Sequence, residues 1–517
     1  MINTLKGKLF GLILLFLIIY NPFSVWAAEG DCGYEGGISS GVAVDKKYDY
    51  KEIIFVTGKP IVVQGDLTVK KTIKDTAETW TYIYSNLKNT DEKVVASRTV
   101  VYNVAVNKKD AGQVQKQVSI KGTPIESIKI DKVTYTLKKY SFSKSTIVDE
   151  KPLAQYFAGE FMGEKTYNVS AGTGTSSGTV KVTTKGEVYG YNQYWSGTEA
   201  QNIEYVVQGA AGGLNWSGTV NMGVSMTTSK KISYESNKPE AISFEGGYVQ
   251  TQNNVSLLQY SSEFPEFDSK GKPTDYIVKA QDTLKFDTFP QITRLVAPVL
   301  RKIKGHWAEN DIKLAYALEI FKEDTSDFKP NDYMTRREFA RVMVMAGRLM
   351  TDEEIASAQA VFDPAGNTAA KKKTTGKKNQ LVQVFNDVPI DYPYYPYIMK
   401  AYEKEIIDGV SEMSFGPQSA ITRAEAVALI VRALGLEDRA PGPVAVTSFK
   451  DNDSIPSWAR SSAYIAEKLG IIKGDSFGNF NPGKNMTKGE VAVMIIRFID
   501  YMRQDIIKDY RDNAVMY

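Results

Sequence analysis

The sequence predicts an α and β multidomain protein, with a mostly-β, sandwich-like N-terminal region followed by an all-α C-terminal region. Between about residues 40 and 290, short runs of alternating polar and apolar side chains recur between turn residues, the period-two signature of half-buried strands. Behind Pro290 the apolar residues change to helical spacing, and one motif returns there three times.

The first 27 residues read as an export signal, with Lys6 and Lys8 ahead of an apolar run from Phe10 to Tyr20 and a small-residue cleavage site at Val25-Trp26-Ala27. That run is too short to span a bilayer core of about 30 Å. No later run is long enough either, so no transmembrane segment is expected after signal removal. Of 63 Lys+Arg and 60 Asp+Glu, removal of residues 1–27 takes two lysines and no acid, which leaves a nearly neutral chain. Such a balance argues against nucleic acid as a partner, since phosphate contacts need a basic excess. One cysteine, Cys32, and one histidine, His306, exclude an internal disulfide, a Cys-rich metal site and a two-histidine centre, so no metal or cofactor is expected. The residues before Cys32 do not suit a lipid-attachment signal, and Cys32 reads as incidental or as an intermolecular thiol.

Residues 28–160 form the first expected β-rich domain. Its strands include Glu52 to Val56, Ile61 to Val69, Trp80 to Tyr84 and Arg98 to Val106. Residues 161–290 form a second β-rich region, in which Ser-Gly-Thr recurs at Ser177, Ser196 and Ser217. The intervals of 19 and 21 residues suggest one hairpin per repeat with glycine at the turn or bulge, although shared turn chemistry explains them equally well. Trp195 and Trp216, beside two of these repeats, suit sheet core and cross-strand pairs. Ile292 to Ile303 reads as a helix kinked at Pro298. Residues 351–383 read as a lysine-rich loop, five lysines falling within Lys371 to Lys378.

The threefold motif is Phe-x-Pro, four residues, then Thr-basic-x-Glu. It occurs at Phe328 to Glu338, Phe415 to Glu425 and Phe480 to Glu490. After each threonine, positions +4, +7, +8 and +11 are apolar in all three copies, one face of a helix. Copies two and three share Phe-x-Asp, ending at Asp387 and Asp451, and a glycine 13 residues before the threonine, Gly409 and Gly474. Trp307 and Trp458 open the first helix of copies one and three. Each copy is therefore loop, helix, loop, helix. The copies span 300–350, 384–437 and 448–505.

Thr-x-x-Glu ahead of an apolar run is a capping box, which assigns Thr335, Thr422, Thr487, Glu338, Glu425 and Glu490 to helix starts. The next residue breaks a local rule. Arg336, Arg423 and Lys488 fall at the first helical position, where the dipole disfavours a cation by about 0.3–1 kcal/mol. Three breaches of one rule suggest either a site for an anion beside free helix amides or salt bridges between copies.

The set Lys304-Gly305-His306-Trp307-Ala308, the two Phe-x-Asp elements, Gly478 to Pro482 and Ile421 to Glu425 resembles the S-layer homology domain, present as a triplet over about two-fifths of the chain. The resemblance implies a pseudo-threefold helical bundle that holds an extracellular protein non-covalently on the secondary polysaccharide of a Gram-positive type cell wall. That polymer is commonly pyruvylated, hence anionic. The implied polysaccharide-binding set is Arg336, Arg423, Lys488, Asp387, Asp451, Gly409, Gly474, Trp307 and Trp458. Copy two, with Asp387, Gly409 and Arg423, matches best; copy one has Lys322 in place of the glycine, and Lys488-Gly489 departs from the motif in copy three. The tryptophans read as core anchors first and sugar platforms second, and His306 as a loop residue. The expected function is a non-enzymatic surface protein, either an S-layer subunit with self-assembly or a simpler display protein. The alternatives are a glycan-active enzyme and a carbohydrate-binding adhesin on the same anchor.

Overall fold

A computed structural model describes residues 32–506, apart from 33, 42–46, 75, 110–111, 172–175, 212–213, 237–245, 270, 287, 323–324, 363–382 and 442–444. The export signal and the lysine cluster lie outside the described residues.

The alternating runs become strands because each can bury one face. They are β1 (Gly37–Ser39), β2 (Lys47–Ile54), β3 (Ile61–Ile73), β4 (Ala77–Asn89) and β5 (Val94–Lys108). Next come β6 (Gln113–Ile120), β7 (Ile125–Ile130), β8 (Val133–Glu150), β9 (Gln155–Ala171) and β10 (Ser176–Asn192). The last are β11 (Ser196–Ala211), β12 (Leu214–Glu235), β13 (Gly247–Phe267), β14 (Pro273–Phe286) and β15 (Gln291–Leu295). All join one antiparallel sheet whose order follows the chain. The short β6 and β7 share the slot between β5 and β8, and β14 and β15 share the outer edge of β13.

The sheet curls until its two ends share a core. Phe55, just after β2, packs on Tyr205, Tyr260 and Phe264 with ring centroids 5.8, 6.1 and 6.2 Å apart. The Ser256 hydroxyl donates to the Ser39 carbonyl at 2.8 Å. One buried apolar cluster consequently runs from Tyr34 to Phe264. Inside it, Arg98 bonds both Glu52 and Glu126, and Lys165 meets Glu126 at 2.8 Å, so the buried charges are paired. Cys32 sits half-buried against this sheet, its thiol donating to Glu199 at 3.0 Å.

Three expectations change here. The division at 160/161 falls inside β9, which pairs along its length with β8 and β10. Ser177, Ser196 and Ser217 lie on three successive strands, so one repeat interval is a strand and its turn, not a hairpin. The helix expected from Ile292 to Ile303 is instead β15 and a single tight turn at Arg301–Ile303, because residues 291–295 find a free edge on β13.

Among the described residues seven α-helices follow: α1 (Glu309–Ala317), α2 (Arg336–Ala346), α3 (Asp352–Phe362), α4 (Tyr395–Glu403), α5 (Arg423–Leu434), α6 (Ser457–Lys468) and α7 (Lys488–Asp500). The three copies supply α1 and α2, α4 and α5, and α6 and α7. Helix α3 occupies the start of the stretch expected to be loop. Among the described residues no helix is long and apolar enough to cross a membrane.

The sheet and the helices meet through a buried contact. Trp195, fully buried, donates its indole N–H to the Ala346 carbonyl at 2.8 Å. Leu153 N–H reaches the Ala433 carbonyl at 3.1 Å, and the Gln193 amide the Met502 carbonyl at 2.6 Å. Leu153, Tyr191 and Trp195 belong to the helical core, so Trp195 is an anchor between regions and not part of the sheet's own core. Trp216 does pack within the sheet, on Phe264 and Phe267.

Candidate functional site

The helix starts α2, α5 and α7 converge. Met334 N–H donates to the Met486 carbonyl, Met486 N–H to Ile421, and Ile421 N–H back to Met334, at 2.9, 3.0 and 2.9 Å. These are the residues just before the three capping threonines. The glutamate at the third helical position receives the threonine N–H in every copy, at 2.8 Å for Glu338, 2.8 Å for Glu425 and 2.9 Å for Glu490. The Thr422 and Thr487 hydroxyls accept the N–H of Glu425 and Glu490 at 3.3 and 3.2 Å. The Thr335 hydroxyl donates to Glu338 at 2.6 Å.

The first two helix amides are not free. Arg336 and Arg337 donate to the Ser419 and Pro417 carbonyls, Arg423 and Ala424 to Lys484 and Pro482, and Lys488 and Gly489 to Asp332 and Pro330. Each copy thus uses the Phe-x-Pro loop of the next, and copy three uses that of copy one. Backbone amides therefore do not offer the anion site expected from the sequence.

The three cations at these helix starts have different fates. Arg336 pairs with Glu425 of the next copy at 2.9 Å and donates to the Phe415 carbonyl at 3.0 Å. Lys488 pairs with Glu338 at 3.2 Å. Arg423 faces Glu490, but Lys484 holds that carboxylate at 2.7 Å. Among the described residues Arg423 forms no salt bridge; it donates to the Lys473 carbonyl at 2.6 Å, and its buried Nε has no hydrogen-bond partner. Burial holds its pKa below the ordinary arginine value, with Glu490 acting the other way. A charge that is desolvated and unpaired has the most to gain from an incoming anion.

Arg423 lines a cleft of about 200 Å³ with Trp307, Lys473, Gly474, Phe480, Lys484 and Arg497. Four cations against Asp475 and Glu490 leave the cleft positive. It joins copies two and three to Trp307 of copy one. Trp307 is 65% exposed and Trp458 58%, so neither is the core anchor expected of it. They are surface aromatic plates, which present an apolar face to a ligand.

The other expected binding residues hold loops. Asp387 accepts the N–H of Phe415 and Gly416 at 2.8 Å each and the Ser414 hydroxyl at 2.7 Å. Burial alone would raise its pKa; these three bonds outweigh it and hold the carboxyl below its usual range. Asp451 accepts the N–H of Phe480 and Asn481 at 2.6 and 2.7 Å. At Gly409 a Cβ would lie 2.2 Å from the Ser411 carbonyl oxygen, and at Gly474 it would lie 3.1 Å from Gly478. His306 takes the Ala308 N–H on Nδ1 at 3.2 Å, a loop role, and lies against Gly489, where a Cβ would come within 3.0 Å of its ring. That contact accounts for the small residue at 489. Sequence reading missed Lys473, Lys484 and Arg497, which lie outside the positions shared by all copies.

Residues 303–340, 384–427 and 448–492 match the family model described as the S-layer homology domain. Over 135 residues the chain is 31% identical to an endoglucanase of Bacillus sp. strain KSM-635, covering 25% of this chain and 14% of that one. It is 35% identical over 119 residues to the surface-layer 125 kDa protein of Lysinibacillus sphaericus, 22% of this chain and 10% of that one. It is 26% identical over 220 residues to an S-layer protein of Bacillus thuringiensis subsp. finitimus, 41% of this chain and 23% of that one. The chain thus spans less than a quarter of the length of these relatives. It carries three S-layer homology domains and is an extracellular, cell-wall-associated surface protein.

Proposed function

We propose that the three S-layer homology domains form a pseudo-threefold bundle that grips an anionic secondary wall polysaccharide, pyruvylated or otherwise acidic, chiefly in the Arg423 cleft. Arg423 carries this reading. It is the one cation of the three left without a salt bridge among the described residues, and it faces an open, positive cleft beside an exposed tryptophan. The guanidinium can take a carboxylate through two parallel bonds, with Trp307 as the plate for the sugar ring. The sheet region is displayed outward and has no catalytic role of its own. Whether it tiles into a lattice depends on contacts between copies.

Full-length protein should co-sediment with purified walls and lose that ability when the polysaccharide is chemically stripped. Arg423→Ala should weaken sedimentation about tenfold or more, the equivalent of one charged bidentate contact. Lys488→Ala, which breaks an internal pair, should weaken it much less. Equal effects, or binding that survives stripping, would overturn the assignment. Release of reducing sugar from wall glycans by the purified protein would overturn the non-enzymatic part.

A further inference from the structure

We infer a second binding site, for an uncharged polysaccharide chain, in a trough that crosses the solvent face of seven strands from β8 to β14. The trough encloses about 1050 Å³. At about 4.8 Å per strand its length is about 29 Å, enough for several sugar rings in a row. The inference is independent of the Arg423 cleft.

Register brings the lining side chains into two parallel rows. In one, Glu160, Glu187, Asn202, Gly223 and Gln259 are successive cross-strand partners. In the other, Lys185, Glu204, Asn221 and Ser261 are. Their strand neighbours on the opposite face, Phe161, Val188, Ile203 and Leu258, are buried in the sheet core, so the rows face solvent.

Two features of the rows are unexplained by folding. Glu160 and Glu187 are direct cross-strand partners, an arrangement that destabilises a sheet, and neither has an ion pair or hydrogen bond among the described residues. Gly223 stands mid-strand with an ordinary backbone, and a Cβ there would meet nothing within 4 Å. Neither packing nor conformation asks for glycine at 223, and glycine weakens a strand. Close approach of a ligand to the backbone is the remaining reason for one there.

The chemistry of the lining selects the ligand. Asn202, Asn221, Gln259 and Gln281 each offer both donor and acceptor, the match for sugar hydroxyls, which also do both. An acidic polymer is opposed by four carboxylates, Glu160, Glu187, Glu204 and Asp282, against the single cation Lys185. The same carboxylates would attract a polycation, which makes polylysine the competing ligand that the test must separate from a glycan. A peptide strand finds no unpaired backbone, because the floor is the interior of the sheet.

The test is native electrophoresis of the full chain through gels containing mixed-linkage β-glucan, xylan or galactomannan, with pull-down on chitin and cellulose. Retention by at least one of these is expected. It should fall about tenfold in the Asn202→Ala, Asn221→Ala double variant and in Gly223→Leu, while wall sedimentation through the helical region stays unchanged. Gly223→Leu places its side chain in open space, so loss of folding is not expected, and a thermal melt checks it. No retention by any of the five glycans, equal retention by the variants, or binding to polylysine alone would each overturn the proposal.

Discussion

At the scale of single residues, a charge is defined by its partner. Arg336, Arg423 and Lys488 are equivalent in sequence, yet two are bound to the capping glutamate of a neighbouring copy, while the third faces a cleft and Lys484 holds the glutamate beside it. The dipole penalty on a cation at the first helical position is offset by these pairs. The carboxyls of Glu338, Glu490 and Asp387 all lie below their ordinary range. For Glu338 burial acts upward, and the Thr335 hydroxyl and N–H and Lys488 outweigh it. Their unfolded forms therefore bind protons first as pH falls. The stability they supply is complete above the ordinary carboxyl range and is lost as pH drops through the depressed values. Glu338→Gln should cost about 1–3 kcal/mol at neutral pH and flatten the acid limb of a pH-stability curve followed by helical circular dichroism. An acid limb identical to the parent's would show that Glu338 is not a controlling group.

At the scale of elements, the helix starts were legible and their company was not. A capping box is a contact across three residues, so Thr422 and Glu425 announce it in sequence. The contact of Arg423 N–H with Lys484 joins copies 61 residues apart and leaves no periodic trace. Trp307 and Trp458 show the opposite failure: an aromatic at a helix start suggests core, and only the three-dimensional packing shows them exposed at 65% and 58%. Period-two alternation located strands such as β2 to β5, but it cannot say that residues 28–160 and 161–290 continue one sheet, since alternation describes a face and not a neighbour. Loop glycines are the more readable punctuation. Gly409→Ala would drive a methyl into the Ser411 and Ser414 carbonyls and the Phe385 ring, and should lower stability by about 2 kcal/mol or more, seen as a lower melting temperature. An unchanged melting temperature would mean that the loop can move aside.

At the scale of the whole molecule, the sheet and the helical region are joined by more than a linker. Trp195→Ala should remove an indole packed at 0% exposure, cost about 3–5 kcal/mol, and split a single thermal transition into two. A single transition at the parent's temperature would show the two regions are joined by other contacts alone. The closed circuit of Met334, Ile421 and Met486 has a further effect on timing. Its third member is 152 residues downstream of the first, and the Arg423 cleft draws on all three copies. Because synthesis runs from the N-terminus, the circuit cannot close until the third copy has been made. On the proposed reading, a chain that stops short of Met486 therefore carries two copies without the cleft that would grip the wall polymer.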